Sequence, residues 1–536
     1  MRLQTKRINA ASWFKNAFGI LAISILLISC REKGSNINSD SKQNPDSSQI
    51  GLNYYQEPFR PQFHFSPEEN WMNDPNGLVY NDGIYHLFYQ YYPEDIVWGP
   101  MHWGHATSTD LIHWKHQDIA LYPDELGYIF SGSAVVDHGN TSGLGSEGKD
   151  PLVAIFTYHD PKKKKSGTPG HETQGIAYSN DNGITWTKYD NNPVLVDTEK
   201  IDFRDPKVFW HDESKHWIMT LAVGDHAEFY RSPDLKNWEF LSEFGKGIGA
   251  HGGVWECPDL FKMKVEGEDE AQWVLLISIN PGGPNGGSGT QYFVGDFDGK
   301  EFSTEQKVTK WLDHGADNYA GVTFSNVPDR RHLFIGWMTN WNYAQKVPTE
   351  KWRSAMTLPR ELSLVKDKNE FFVSSKVISD FDKLCTLVLD VEQVSLVEPH
   401  TFSANFEQAE ITWKQKLDKR VDLIFKSDRG DSLMISIDPV HKEVLLDRSK
   451  SGKIDFSESF AESIHVLPIF ATNRETDVRI ILDRSSIELF IDDGRYVMTE
   501  QFFPNTPFSE LVLMSKEETE LKDLKINKIS NIWNNE

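Results

Sequence analysis

The sequence is short of cysteine, of positive charge and of apolar runs long enough to span a membrane. Only three of its 536 residues are cysteine, which excludes the disulfide framework that holds small secreted domains together. Lys and Arg number 55 against 79 Asp and Glu, a formal net charge of −24. The acidic excess is spread along the chain, which argues against a nucleic-acid partner.

The N-terminus carries the pattern of an export signal. Four basic residues lie among the first fifteen, and an uncharged apolar run follows at residues 18–28, too short for a permanent membrane span. The run closes on Leu27-Ile28-Ser29-Cys30, which resembles the bacterial lipoprotein box. We predict a lipoprotein signal peptide at 1–29, lipidation of Cys30 and a location on the bacterial cell envelope; an ordinary secretory signal is the alternative.

A polar, Ser/Asn/Asp-rich stretch follows, and we predict a flexible tether at 30–55. Beyond it the chain has no long helical periodicity. Short apolar runs recur between turn residues, as in 84–89 and 274–277, and this pattern is typical of β-strands. The sequence therefore predicts an all-β protein.

An internal repeat suggests the architecture. The segments 108–114, 179–186 and 232–238 each end a strand with an Asp-containing turn and open the next strand with Trp114, Trp186 or Trp238, and 296–302 is a weaker copy. Five hairpins of a second kind alternate with these turns. Two hairpins make a four-stranded blade. We predict a five-bladed β-propeller over 56–368, with a β-sandwich or two stacked barrels as the competing architecture.

The sequence pattern changes after residue 370, where apolar and polar residues alternate along the predicted strands and Trp is less frequent. Segments such as 421–425 and 486–491, the latter followed by an Asp-Asp-Gly turn, are typical of hairpin strands with one buried face. We predict a C-terminal β-sandwich over 375–536. It contains no evident catalytic constellation.

Three acids stand in unusual local sequence. Asp74 lies in Trp71-Met72-Asn73-Asp74-Pro75, Asp205 follows Arg204 and precedes a proline, and Glu256 lies between Trp255 and Cys257. Each could be structural: a turn cap, a partner of Arg204 and an edge residue, respectively. Together they match the need of glycosidic hydrolysis for a proton donor and a second carboxylate, with a further negative charge near the sugar ring.

The residues next to the three acids in the sequence suggest which acid takes which catalytic role. Arg204 is expected to keep Asp205 ionised, whereas Glu256 has no adjacent cation in the sequence, so its pKa is expected to be raised as suits an acid.

Four segments, 71–77, 130–133, 204–206 and 256–258, resemble the signature motifs of glycoside hydrolase family 32, the invertases, inulinases and levanases. They occur in the family's order, and the resemblance extends over residues 58–536. It implies a five-bladed propeller with a β-sandwich, β-D-fructofuranosyl substrates, retention of configuration and no cofactor. It makes Asp74 the nucleophile, Asp205 the transition-state stabiliser and Glu256 the acid/base.

The resemblance also implies a fructose pocket. Its expected lining residues are Trp71, Asn73, Gln90, Trp98, Phe130, Ser131, Arg204, the weaker candidate Asp317, and either Trp337 or Trp341. The segment 98–105 is similar to that of exo-acting members, so we predict release of terminal fructose from levan, inulin, fructo-oligosaccharides or sucrose. Several histidines lie nearby, but they lack metal-ligand spacing, and we predict no metal.

Three alternatives stay open at this stage. An endo-levanase or fructosyltransferase would share the three acids. A lipid-anchored glycan-binding protein would have lost catalysis. An inverting relative acting on arabinose-type sugars would hold its two carboxyl groups about 6.5 to 9.5 Å apart, against about 5 to 5.5 Å for a retaining enzyme.

Overall fold

The computed structural model of the protein describes residues 54–533 apart from residues 147 and 471. The predicted signal peptide, its Cys30 and the predicted tether as far as residue 53 lie outside the described residues. Tyr55, at the predicted end of the tether, belongs instead to the folded unit, because its ring is buried and stacks on Trp533 with the centroids 3.9 Å apart.

Five antiparallel sheets follow one another along the first part of the chain. The first two contain β1 (Asn70–Asn81), β2 (Ile84–Tyr92), β3 (His102–Ser108) and β4 (Lys115–Leu121), then β5 (Tyr128–Val136), β6 (Leu152–His159), β7 (Glu172–Ser179), β8 (Thr187–Lys188) and β9 (Leu195–Val196). A short helix, α1 (Pro161–Ser166), lies between β6 and β7.

The next three sheets repeat the arrangement. They contain β10 (Phe203–His211), β11 (His216–Val223), β12 (His226–Ser232) and β13 (Glu239–Phe244); β14 (Val254–Lys264), β15 (Ala271–Asn280), β16 (Gly289–Phe297), β17 (Phe302–Ser303) and β18 (Lys310–Trp311); and β19 (Tyr319–Thr323), β20 (His332–Trp337), β22 (Arg360–Asp367) and β23 (Glu370–Val377). A two-residue strand, β21 (Trp352–Arg353), pairs in parallel with β1 and so adds to the first sheet.

The first strands of the five sheets, β1, β5, β10, β14 and β19, contact one another in a closed ring. They are the inner strands of a five-bladed β-propeller, which confirms the predicted architecture. The repeated Asp turns join the third and fourth strands of blades one to four. In the first of them the Asp110 carboxylate accepts the backbone N–H groups of Ile112 and His113, an Asx turn that explains why Asp recurs there.

The remaining strands form the predicted β-sandwich. They are β24 (Cys385–Ser395), β25 (His400–Ser403), β26 (Ala409–Leu417), β27 (Val421–Ser427), β28 (Ser432–Asp438), β29 (Glu443–Lys450), β30 (His465–Pro468), β31 (Thr472–Asp483), β32 (Ser486–Ile491), β33 (Tyr496–Gln501), β34 (Phe508–Met514) and β35 (Glu520–Ile529). Two six-stranded sheets result, ordered β24-β35-β26-β31-β32-β33 and β25-β34-β27-β28-β29-β30. Alternate side chains of both sheets fill one apolar core.

The boundary between the two domains lies slightly beyond its predicted position. The last propeller strand ends at Val377, and a 3₁₀ turn (Ser379–Leu384) leads into β24. The outer face of the sandwich packs on the propeller, since Phe490 and Val497 share an apolar cluster with Leu333 of β20 and Val377 of β23. A second 3₁₀ turn spans Ala344–Lys346. Among residues 54–533, no helix is long and apolar enough to cross a membrane.

Candidate active site

Every inner strand of the propeller is interrupted in its first half. The register with the second strand shifts between residues 72 and 75, 129 and 132, 204 and 207, 256 and 259, and 319 and 322. Such β-bulges break the ladder and re-aim side chains. Asp205 and Cys257 adopt left-handed φ values of 62° and 46° there. Because the bulges lie at equivalent places in the five blades, their side chains meet at one mouth of the central channel.

The carboxylate of Asp74 receives hydrogen bonds from two blades. Ser131 Oγ donates to Oδ2 at 2.6 Å, and Asn73 Nδ2 donates to Oδ1 at 3.0 Å. The thiol of Cys257 lies 3.5 Å from Oδ2. Asp74 therefore has donors on both oxygens and, among residues 54–533 as described, no cation among its hydrogen-bond partners, a setting that orients the carboxylate.

Asp205 lies at the same mouth and is almost fully buried. Its Oδ2 accepts the backbone N–H of Cys257 at 3.1 Å, and the Nε of Arg204 is 4.0 Å away. Burial raises the pKa of Asp205, the charges of Glu256 and Asp74 raise it further, and Arg204 only partly offsets them. Arg204 lowers the pKa of Asp205 as expected, but burial and the two neighbouring acids oppose it, because three acids share the same mouth.

Glu256 has two partners that the sequence analysis did not foresee. Its Oε1 is 3.0 Å from Nη2 of Arg204, and the hydroxyl of Tyr319 donates to its Oε2. Glu256 has no cation beside it in the sequence, but the fold brings Arg204 to it. Its pKa is nevertheless raised, since burial favours the neutral form and outweighs the charge of Arg204.

Aromatic side chains surround the carboxylates. Trp71 is fully buried, and its indole N–H donates to Asn73 Oδ1 at 2.7 Å. Trp337 is also fully buried, with its N–H on the carbonyl of Met72. Trp341 is only half-buried and packs against both tryptophans. Of Trp337 and Trp341, only Trp341 keeps an exposed surface that a sugar could touch.

Two further predicted wall residues lie on the first and second blades. Trp98 and Phe130 are half-buried and their rings are 6.1 Å apart. Gln90 is buried at the end of β2, where its amide donates to Asn76 Oδ1 at 2.7 Å. The ring of Phe130 stacks on His159 with the centroids 4.2 Å apart.

Asp317 does not join this group. It is fully buried against the sandwich, where Arg448 Nη1 lies 2.7 Å from Oδ2 and the hydroxyl of Tyr343 donates to Oδ1 at 2.6 Å. The N–H of Gln501 donates to Oδ2 as well. With both oxygens occupied and no exposed surface, Asp317 is a structural residue, and its assignment as a sugar contact is corrected.

Three residues of the site were missed. Tyr319 contacts Glu256 from the fifth blade, the Cys257 thiol lies between Asp74 and Asp205, and Glu172 on β7 pairs with Arg204 at 3.3 Å. Cys257 directly follows Glu256 and could have been flagged by that adjacency. Glu172 lies outside the signature segments, so only the fold brings it to the site.

The mouth of the five-bladed propeller thus carries three acids and several amphipathic aromatic side chains. This composition defines a polar site of the kind that binds and cleaves sugars. Comparison with known proteins identifies the family. Residues 64–375 match the model of the glycosyl hydrolases family 32 N-terminal domain, and residues 386–528 match that of the family 32 C terminal. The chain belongs to glycoside hydrolase family 32 and is a glycosidase, which confirms the resemblance.

Individual relatives agree with this membership. A levanase of Bacillus subtilis is 44% identical over 495 residues, covering 90% of this chain and 72% of the levanase. An extracellular exo-inulinase of Aspergillus niger is 38% identical over 524 residues, covering 90% and 96%. The crystal structure of an exo-inulinase from Aspergillus awamori superposes with a TM-score of 0.81 at 35% identity, covering 89% of this chain and all of that one.

Proposed function

We propose that the protein is a retaining exo-fructanase that releases terminal fructose from β-D-fructofuranosides. One observation carries the proposal: Asp74 and Glu256 lie at one channel mouth in different chemical settings. Asp74 accepts hydrogen bonds from the neutral side chains of Asn73 and Ser131, whereas Glu256 lies between the Tyr319 hydroxyl and the Arg204 guanidinium and has a raised pKa. The names of its levanase and exo-inulinase relatives support the fructan substrate.

The reaction has two balanced steps. A carboxylate oxygen of Asp74 attacks the anomeric carbon of the terminal fructosyl unit while the glycosidic C–O bond breaks and Glu256 gives its proton to the leaving oxygen. Water then attacks the same carbon, Glu256 takes a proton from it, and the bond to Asp74 breaks. Two inversions leave the configuration retained.

The other residues bind and orient the sugar. Asp205 accepts hydrogen bonds from fructose hydroxyls and stabilises the oxocarbenium-like transition state. Asn73, Gln90 and Arg204 supply further polar contacts. The walls are Trp98, Phe130 and Trp341, with Trp71 behind them. We expect these walls to enclose one terminal unit, as exo action requires.

A side-by-side digestion tests exo action. Levan and inulin are incubated with the enzyme, and the early products are separated by chromatography. We expect fructose alone from the first time point, because each turnover removes one terminal unit. A ladder of oligosaccharides at early times would instead assign endo action on the same fold, and products longer than the starting chains would assign fructosyl transfer.

We also propose that Cys30 carries a lipid that attaches the enzyme to the cell envelope. The support is the Leu27-Ile28-Ser29-Cys30 pattern after a basic, apolar leader. The name of the extracellular relative agrees with export.

A cysteine substitution tests the anchor. In cells fed a labelled fatty acid, the full-length wild-type protein should be labelled and sediment with membranes, whereas Cys30→Ala should be unlabelled and soluble. Cys385→Ser is the matched control, because Cys385 is a free thiol in the sandwich, and it should behave as wild type. An unlabelled wild-type protein in the soluble fraction would contradict the proposal.

A further inference from the structure

Arg204 stands among four carboxylates, more than its single charge can balance. The guanidinium atoms lie 2.6 Å from Asp202 Oδ1, 3.0 Å from Glu256 Oε1, 3.3 Å from Glu172 Oε2 and 4.0 Å from Asp205 Oδ2. Its side chain is 11% exposed, so water screens these charges weakly.

This crowding matters because a proton donor must hold its proton before the reaction. An unshared guanidinium 3.0 Å from Glu256 would favour the ionised carboxylate. Glu172 and Asp202 both bind the Nη1 side of Arg204, away from the Nε and Nη2 atoms that face Glu256. Their negative charges therefore oppose the effect of Arg204 on Glu256.

Glu172 is the more buried of the two, with 2% of its side chain exposed against 21% for Asp202. Burial opposes its ionisation, yet the charge of Arg204 and a hydrogen bond from His159 lower the pKa of Glu172 to about 2. Its charge is thus present at any working pH. Because a buried charge is screened less than an exposed one, Glu172 has the stronger effect.

We infer that Glu172 is a positioning residue for the reaction: it fixes the guanidinium of Arg204 and takes up part of its charge, so that Glu256 keeps its proton. The inference rests on the proposed role of Glu256 as the acid/base. Glu172 reaches no reacting atom itself and acts only through Arg204.

The charged and titratable groups around Glu172, Arg204 and Glu256 come from several strands and loops. Glu172 faces Arg204, His159 and His171, and Glu256 faces Arg204, Tyr319, Asp74, Asp205 and Cys257.

The ligand atoms of His159, His171 and Glu172 lie close enough together to suggest a cation site. A cation there would be repelled by Arg204, which already occupies both oxygens of Glu172.

The pH profile of kcat/KM tests the inference, because it reports the ionisations of the free enzyme. In Glu172→Gln the charge is lost while the shape and the hydrogen bond to His159 are kept. With a fructo-oligosaccharide as substrate, the alkaline limb should move to lower pH by about one unit, the size expected for loss of a nearby charge. Arg204 then stabilises ionised Glu256, and the proton is lost earlier.

Two variants act as controls. Asp202→Asn removes the same charge from a more exposed position, and its left-handed backbone, φ 54°, is one that Asn accepts readily; the limb should move the same way but less. His171→Gln should leave the alkaline limb in place, because burial lowers the pKa of His171 and the ring is neutral over that range.

Two results are decisive against the inference in different ways. If Glu172→Gln lowered kcat/KM equally at every pH with both limbs in place, Glu172 would be merely structural, although Glu256 could still be the acid/base. If Glu256→Gln kept wild-type turnover, the role of Glu256 itself would be wrong. Melting temperatures of all variants show whether each remains folded.

Discussion

Replacing Asp74 by Ala is expected to reduce turnover on fructans by at least about 10³-fold, since removal of a nucleophile abolishes the covalent step. The loss should be in kcat, because the pocket walls that bind the sugar are untouched. The same assay should give wild-type rates for Asp118→Asn, which removes an exposed carboxylate from β4 of the same blade.

A chemical rescue separates the nucleophile from the other acids. With an aryl fructoside, whose leaving group needs no proton, azide can occupy the space left in Asp74→Ala and attack the anomeric carbon directly. A single displacement gives a fructosyl azide of inverted configuration. Rescue of Glu256→Ala should instead give the retained azide, because azide replaces water in the second step. A retained product from Asp74→Ala would exclude Asp74 as the nucleophile.

The blades could be predicted from sequence because their turns are local. An Asp that accepts two following N–H groups, as Asp110 does, fixes a turn through neighbours in the chain, so each copy is visible without the fold. The three acids were visible for a similar reason, since each lies within two residues of a proline at a bulge. The three acids meet at one mouth of the channel because the bulge is repeated in every inner strand.

The partners of those acids could not be predicted in the same way. Arg204 and Asp205 are adjacent in the chain, which suggested a pair, but both lie at a bulge that re-aims side chains. Arg204 stays 4.0 Å from Asp205 and lies closer to Glu256, Glu172 and Asp202. Asp317 shows the converse error: it lies two residues from Tyr319, yet its side chain points into the sandwich and meets Arg448. The partners that the fold brings to each side chain, rather than distance along the chain, decided both contacts.

The attachment of the sandwich to the propeller depends on another buried arginine. Arg360 on β22 is completely buried, with Nη1 2.9 Å from Asp313 Oδ2 and Nη2 2.5 Å from Glu488 Oε2 on β32. It also donates to Thr499 Oγ1 on β33. The other oxygen of Glu488 contacts His64. One guanidinium thus joins a blade to two strands of the sandwich.

Replacing Arg360 by Met should destabilise the protein by about 3–5 kcal/mol, because the carboxylates of Asp313 and Glu488 stay buried without their cation. At about 2 cal/mol/K per residue, a folded unit of this size unfolds with an entropy near 1 kcal/mol/K. The melting temperature in calorimetry should therefore fall by about 3–5 °C. The matched control is Arg231→Met, which removes an exposed arginine paired with Glu239 and should cost less than about 1 kcal/mol.

The pH dependence of the same melting curves adds a second test of Arg360. Burial opposes ionisation of Glu488, but Arg360 and His64 together lower its pKa to about 2. A lowered carboxyl pKa contributes stability that is present above its unfolded value near 4.5 and is lost as the pH falls toward 2. Without Arg360 the pKa of Glu488 rises toward its unfolded value, so Arg360→Met should lose less stability than the wild type as the pH falls from about 4.5 toward 2, and the two curves should converge in acid. Parallel curves for wild type and Arg360→Met, offset by no more than Arg231→Met, would show that the buried pair does not hold the two domains together.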